Sequence, residues 1–495
     1  MKKRKKNRTN TEPVNPLEDM LNRFQNLLPA DQWNLVLEEL NQPYYQAVRL
    51  NPLKTDKSID DIADKYQWAY KPVPYCDTGF WITENSLPLS KTVEHQMGHY
   101  YIQDAASMLP VELFDFEGLE QPLVLDMAAS PGGKTTHLLS KVADKGLVIA
   151  NDSSRDRLTA LRIVLQNWGA VHNAVTNYPG EKFGAWYPET FDRILLDAPC
   201  SMQGLQATES HPLRGITQKE INALANRQSK LLSSAITALK TEGQVVYSTC
   251  TLTPEENEGV LQRVLDQFGT TIQIDSFSDR LPSSSRGLSY FEENHFDPQI
   301  RNAARLWPFV FGTAGFFAAR ITKKAPLASK QSLPPARPLE QAGWFALSQQ
   351  DVLNLCSEIQ QTYGFDFFSL KQTQNWEIWT YKQNLYCFPI QFLTNFSQLP
   401  VQSLGLTLAE NNSDGLILSH EFITRFGSLA TQNLIFLDES QSEEWMRGND
   451  LPMSISSQGS NPVMIIIDHQ HRVIGRGRIS QDRLRNLLPH RLRII

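Results

Sequence analysis

The chain has 495 residues, 41% of them apolar and 20% charged, a globular balance that excludes disorder and fibrous repeats and leaves room for several domains of roughly 150 residues. Five unpatterned cysteines exclude a disulfide scaffold and a C-x-x-C zinc site and point to a reducing compartment. The net charge of −6 argues mildly against nucleic acid, but residues 1–10 hold six basic residues and no acid, 472–495 hold seven Arg against Asp482, and the middle therefore carries −18. The first 14 residues read as a basic flexible tail that leads into polar residues rather than the apolar core of a signal segment. No apolar run approaches the ~18 residues of a membrane span, so a cytoplasmic protein is expected. Residues 16–50 place apolar side chains at helical spacing broken by Pro29 and Pro43 and predict a small helical region, followed by a linker or strand through Asn51 and Pro52. From Leu123 onward short apolar runs alternate with helical stretches, the pattern of a parallel sheet covered by helices. The predicted strands are 123–126, 147–152, 174–176, 191–197, 244–249 and 315–321. Thr217 with Glu220 predicts a capping box before a helix reaching about Leu239, and Thr253, Pro254 and Glu256 combine an N-cap, a proline at the first helical position and a capping acid. Pro326, Pro334, Pro335 and Pro338 mark a domain boundary. Beyond it, the alternation in 375–388 predicts the inner face of a sheet, and 463–468 a strand before the Arg-rich end.

Residues 125–135 (LDMAASPGGKT) read as a strand, a small-residue turn and a helix start. In an open α/β sheet ligands bind beyond the carboxyl ends of the strands, where small residues let the backbone approach a cofactor and the helix offers free amides. Asp152, at the end of the next strand, is placed to accept both hydroxyls of a ribose. The turn lacks both G-x-G-x-x-G and a phosphate loop. An adenosine-type cofactor without a pyrophosphate fits, as S-adenosylmethionine (SAM) does. A tight turn beside a surface Asp is the plainer alternative. Cys200 follows the strand that ends at Asp197, and Cys250 ends the next strand, so both thiols fall on the cofactor edge. A single cysteine is usually a small buried hydrophobe; two at that edge, one near an acid, suggest thiolate chemistry, with Lys134 and the helix opening at Thr253 as the cationic influences that would lower a thiol pKa. No metal-ligand spacing accompanies them.

The segments 126–135 (DMAASPGGKT), 197–201 (DAPCS) and 247–257 (YSTCTLTPEEN) resemble the signature motifs of the SAM-dependent RNA 5-methylcytosine methyltransferases, the Nol/Nop/Sun family. Residues 49–55, 98–110, 305–308 and 315–317 are also similar to family segments, and the C-terminal part resembles the bacterial branch acting on small-subunit ribosomal RNA. The resemblance implies an α/β fold: a Rossmann-like methyltransferase core with an N-terminal α/β extension and C-terminal α+β and PUA-like RNA-binding domains. The implied boundaries are 15–115 for an N-terminal RNA-binding domain, 116–323 for the methyltransferase, 324–342 for a linker, 343–412 for a middle domain and 413–495 for the PUA-like domain. It implies Cys250 as nucleophile, Asp197 at the base edge, Cys200 in product release and Lys134 near the base or nucleophile. It also implies that Ala128, Ala129, Ser130, Pro131, Gly132, Gly133 and Lys134, with Asp152 and Asp197, hold SAM. These residue types suit the chemistry: carbon 5 of cytosine becomes nucleophilic only after a thiolate adds to carbon 6, and the proton on carbon 5 must then leave as the thiol is expelled.

Three places depart from the family pattern: Met202 stands where glycine is usual, Pro179 where an acid is usual, and 209–214 matches weakly. The implied partner is RNA, small-subunit ribosomal RNA or the subunit itself, with transfer RNA as an alternative. No membrane or metal is implied, and a monomer is expected. The Arg run 472–493 could supply phosphate contacts, while Lys2 to Arg8 reads equally as a flexible arm or a targeting signal. Two other functions compete: an exocyclic-amine methyltransferase, whose Asn/Asp-Pro-Pro-aromatic motif 197–200 lacks, and a non-catalytic RNA-binding assembly factor on the same fold.

Overall fold

The structure, a computed structural model, describes residues 16–206, 214–277, 281–282, 285–328, 330–412, 415–452, 463–480 and 482–494. The basic tail 1–14 and His211 with its neighbours therefore lie outside the described residues. Two compact units are each assembled from separated stretches of chain: one from 1–44, 198–232 and 247–322, the other from 45–197, 233–246 and 323–495. No helix among the described residues is long and apolar enough to cross a membrane.

The second unit contains β1 (Leu123–Asp126), β2 (Leu147–Asn151), β3 (Asn173–Thr176) and β4 (Phe191–Asp197), with helices α1 (Gly133–Val142) and α2 (Leu158–Trp168) between them. β1 pairs in parallel with β2 and β4, and β2 with β3. With the opening residues of β5 (Leu239–Thr249), the order is β5-β4-β1-β2-β3. Every residue of β1, β2 and β3 is buried, which is why these strands read as short continuous apolar runs. The chain runs outward through β1, β2 and β3 and then returns to the other side of β1 as β4. That reversal at β1/β4 is where an open α/β sheet binds its ligand.

The helical expectation for residues 16–50 fails at its end. Ala47–Leu50 is a strand in a four-stranded antiparallel sheet with Ala69–Pro72, Gly79–Glu84 and Tyr100–Ile102. Pairing on both sides overrides local periodicity here, and the strand puts Arg49, 0% exposed, against α1. Its guanidinium donates to Gln103 Oε1 at 3.0 Å, Thr136 Oγ1 at 2.7 Å and the Gly133 carbonyl at 3.1 Å.

The described residues of 324–342 run without helix or strand until a short turn at Glu340–Ala342, tied to the rest by Ser332 N–H to the Ala185 carbonyl and Arg337 N–H to the Gln398 carbonyl. Beyond them, Trp344–Ala346, Trp376–Tyr381, Asn384–Pro389, Leu406–Asn412 and Gly415–Leu418 form one antiparallel sheet. Trp376, Ile378, Leu385 and Cys387 face its core, as the alternation predicts. Ser403–Leu404 pairs antiparallel with β3. Leu434–Phe436, Val463–Ile467, Val473–Ser480, Arg483–Asn486 and Leu451–Pro452 form a last mixed sheet.

The first unit holds helices Pro16–Phe24 and Ala30–Glu39, most of α3 (Gln218–Ala238), α4 (Glu258–Phe268), and β6 (Phe316–Lys323) paired antiparallel with Ala304–Leu306. Pro29 is the N-cap of the second helix, which explains the break in periodicity. The predicted capping box is present: Thr217 N–H donates to Glu220 Oε2 at 2.9 Å and Glu220 N–H to Thr217 Oγ1 at 3.3 Å. Met20, Phe24 and Val36 pack with Leu205, Leu252 and Trp307, so the two N-terminal helices buttress the loops that follow Cys200 and Cys250.

Candidate active site

In the second unit the turn after β1 is held by backbone and carboxylate alike. Ala129 N–H donates to the Asn151 carbonyl at 2.8 Å and Ser130 N–H to Asp152 Oδ2 at 3.1 Å. Gly132 sits at φ +118°, and a Cβ there would lie 2.9 Å from Val164 Cγ1; a Cβ on Gly133 would lie 2.9 Å from the Tyr101 ring. Only glycine meets both the backbone conformation at 132 and the packing at either position. Asp152, 3% exposed, also accepts from Ser154 N–H at 2.8 Å and faces Arg157 at 3.5 Å. Asn151, which sequence reasoning did not single out, ties the site together: its amide donates to the Met127 and Tyr178 carbonyls, and its oxygen accepts from Thr176 Oγ1 and Tyr178 N–H. Pro179 follows this anchored Tyr178, whose ring meets Trp186 edge-on at 5.3 Å.

Lys134, in the first turn of α1, donates to Asp197 Oδ2 at 2.8 Å, with side-chain exposures of 15% and 31%. The segment Ala128–Lys134, Asp152 and Asp197 thus lie at the carboxyl ends of β1, β2 and β4. Backbone amides at a helix start, glycines that admit close approach and a carboxylate on the next strand together fit a nucleoside with an amino-acid tail, as SAM has. Asp126, also missed, is 1% exposed at the end of β1. Burial lifts its carboxyl to about 7, even though Thr135 Oγ1 donates to it at 2.7 Å.

In the first unit, Cys200 Sγ and Cys250 Sγ are 3.1 Å apart. The hydrogen bond to Cys250, then burial, then the Cys250 charge push the Cys200 thiol well above its ordinary value. The pair is close enough for a proton to pass between the two sulfurs, either of which can be the donor. Ser201 Oγ and Thr251 Oγ1 are 3.0 Å apart, and Leu252 N–H donates to the Gln203 carbonyl at 2.9 Å, so the two cysteine loops are stitched side by side. Met202 takes φ +59°, the left-handed backbone that glycine adopts freely and other residues adopt at roughly 1–2 kcal/mol; its departure from the family pattern is a strained position. The Arg305 guanidinium pairs with Glu258 at full burial and donates to the Leu252 carbonyl at 2.7 Å.

Thr253 and Pro254 take the N-cap and first helical positions expected of them, but neither Thr253 nor Glu256 makes the expected capping bond. Thr253 makes no side-chain cap; a 3-10 turn Pro254–Glu256 intervenes, and α4 starts at Glu258. Glu256 instead turns inward, where its Oε2 accepts from Ser201 N–H at 3.0 Å and Gln228 Nε2 at 2.8 Å. Elsewhere, ligand atoms of Cys76, Glu112 and His137 lie within 4.8 Å of one another. Burial holds His137 neutral with a pKa of about 3 and pushes the Cys76 thiol up to about 11. Lys141 answers Glu112 at 2.7 Å, so the cluster is built as a buried hydrogen-bonded group with its own cation.

Residues 116–322 match the family described as 16S rRNA methyltransferase RsmB/F, and residues 18–105 match the N-terminal domain of 16S rRNA methyltransferase RsmF. Ribosomal RNA small subunit methyltransferase F from Aeromonas salmonicida is 33% identical over 487 residues, 96% of each chain. The same-named protein from Erwinia tasmaniensis is 32% identical over 95% of each. Among solved structures, a methyltransferase homolog protein from Pyrococcus horikoshii matches with a TM-score of 0.52 at 30% identity, covering 62% of this chain and 99% of its own. NSun6 from the same organism, solved with SFG, shares the fold at a TM-score of 0.51 and 21% identity, covering 62% and 98%.

Proposed function

The chain belongs to the RsmF family of ribosomal RNA small subunit methyltransferases, and from that premise we propose that it methylates carbon 5 of a cytosine in 16S ribosomal RNA through a Cys250 adduct at carbon 6. It is a SAM-dependent RNA methyltransferase. The observation that carries the proposal is the thiol pair: Cys200 and Cys250 lie 3.1 Å apart, within hydrogen-bond reach of each other. Two thiols so arranged divide the work that carbon-5 methylation requires.

Bound SAM supplies an electrophilic methyl carbon. Ala128–Lys134 would hold it at the start of α1, with Asp152 on the ribose. Cys250, as thiolate, adds to carbon 6 and makes carbon 5 nucleophilic. Asp197 meets the base edge near ring nitrogen 3, and Lys134, bonded to that carboxylate at 2.8 Å, keeps it oriented. In release, the bond from carbon 5 to hydrogen breaks, its electrons form the carbon 5–carbon 6 double bond, and the bond from carbon 6 to Cys250 breaks. Cys200, deprotonated for this step, takes the carbon-5 proton and then, as the thiol, donates a proton to the departing Cys250 thiolate. Reaching carbon 5 requires an unstacked or single-stranded base. The basic C-terminal region is the proposed RNA-binding domain of PUA-like type. Bisulfite sequencing of RNA from a deletion strain tests the target: one 16S position should lose 5-methylcytosine, and loss confined to transfer RNA would reassign the substrate.

A further inference from the structure

We propose that Glu256, seconded by Gln228, is the positioning residue of the release step, holding the Cys200 loop so that its thiol meets the carbon-5 proton. The inference rests on Cys250 as nucleophile and Cys200 as the release residue. The two peptide groups flanking Cys200 are both gripped by this pair: Ser201 N–H donates to Glu256 Oε2 at 3.0 Å, and Gln228 Nε2 donates to the Pro199 carbonyl at 2.9 Å. The same Gln228 nitrogen reaches Glu256 Oε2 at 2.8 Å, which closes the clamp around one turn of chain. Both side chains are 0% exposed.

The clamp is fastened to the other cysteine as well. Glu256 lies six residues after Cys250, its carbonyl accepts from the buried Tyr247 hydroxyl, and Thr251 Oγ1 bridges to Ser201 Oγ and Thr253 Oγ1. A carboxylate buried this fully is costly unless its hydrogen bonds are specific. Burial does push the Glu256 carboxyl upward, against the bonds from Ser201 and Gln228. A residue needed only to start α4 would face solvent from the first turn, as Glu220 does at α3; Glu256 is spent on the Cys200 loop instead. Addition of Cys250 to carbon 6 does not require a fixed Cys200, whereas proton removal from carbon 5 does. Loosening the clamp should therefore stall the enzyme after methyl transfer.

The test follows the covalent protein–RNA species on denaturing gels, with unmodified 16S ribosomal RNA and radiolabelled SAM. Glu256→Ala should cut turnover at least 10-fold, accumulate the adduct and still transfer about one methyl group per enzyme. Gln228→Leu should do the same to a lesser degree, and carries the test if Glu256→Ala does not fold. Glu256→Gln keeps an acceptor for Ser201 N–H and should restore turnover. Wild-type turnover in both Glu256→Ala and Gln228→Leu would overturn the proposal, as would loss of adduct and methylation together in folded protein. An adduct that survives in Glu256→Ala/Cys250→Ala would overturn the nucleophile assignment beneath it.

Discussion

Asp126 is buried at the end of β1 with its carboxyl lifted from 3.8 to about 7, so the folded chain holds a proton that the unfolded chain releases above pH ~4. Stability from this group is present below pH ~4, declines as pH rises through about 7 and is absent above it. Asp126→Asn should flatten the stability profile between pH 4 and 7 and gain up to ~4 kcal/mol at pH 8, measured by urea unfolding across pH; parallel curves for the two proteins would refute this. Asp152→Ala should weaken SAM binding by about 10- to 100-fold, since hydrogen bonds to a charged group contribute roughly 1.5–3 kcal/mol. Calorimetry reads this, and an unchanged affinity would leave Asp152 with only the Ser130 and Ser154 amides to hold. At this scale motif spacing singles out Lys134, Asp197, Cys200 and Cys250, and the fold brings Lys134 to Asp197 and Cys200 to Cys250. Glu256 and Asn151 escape because an inward turn of one side chain leaves no trace in spacing.

Among the elements, β4 matches its predicted bounds of 191–197 because an apolar run closed by Asp197 and Pro199 has little freedom to slide. Ala47–Leu50 was illegible for the opposite reason: strand pairing at long range decided it. β5 begins at Leu239 rather than 244, and its polar opening is tied by a side-chain ion pair, Lys240 to Asp192 at 2.7 Å. The start of α4 depends on the buried Arg305–Glu258 pair, which sequence separation of 47 residues hides. Removing one partner of a fully buried pair leaves an uncompensated charge. Glu258→Ala should therefore destabilise by about 3–5 kcal/mol in denaturant unfolding, while a change under 1 kcal/mol would show that the pair does not anchor the Leu252 loop.

For the whole molecule, the −6 that first argued against nucleic acid is a sum over regions with different duties. The C-terminal arginines divide in the same way. Arg472, buried, is bonded to Asp468 and Glu94; Arg476 reaches Glu410 and Arg491 reaches Glu421. These fasten the last sheet, whereas Arg483 and Arg485 are exposed. Arg483→Gln/Arg485→Gln should weaken RNA binding and reduce its log–log salt slope by as much as about 2, at roughly 0.7–0.9 per phosphate contact, with stability unchanged. Arg472→Gln should instead lower the unfolding midpoint. Equal effects on RNA binding would show that the run acts as one undivided basic surface. Composition reveals how much charge a terminus carries; which arginines are already paired is decided by residues nearly 380 positions away, such as Glu94.

The central claim is the Cys250 adduct, and Cys200→Ala incubated with 16S ribosomal RNA and SAM tests it most directly. On a denaturing gel the account predicts a slow-migrating, nuclease-sensitive protein–RNA band that vanishes in Cys200→Ala/Cys250→Ala. No band in Cys200→Ala, or a band that persists without Cys250, would contradict it.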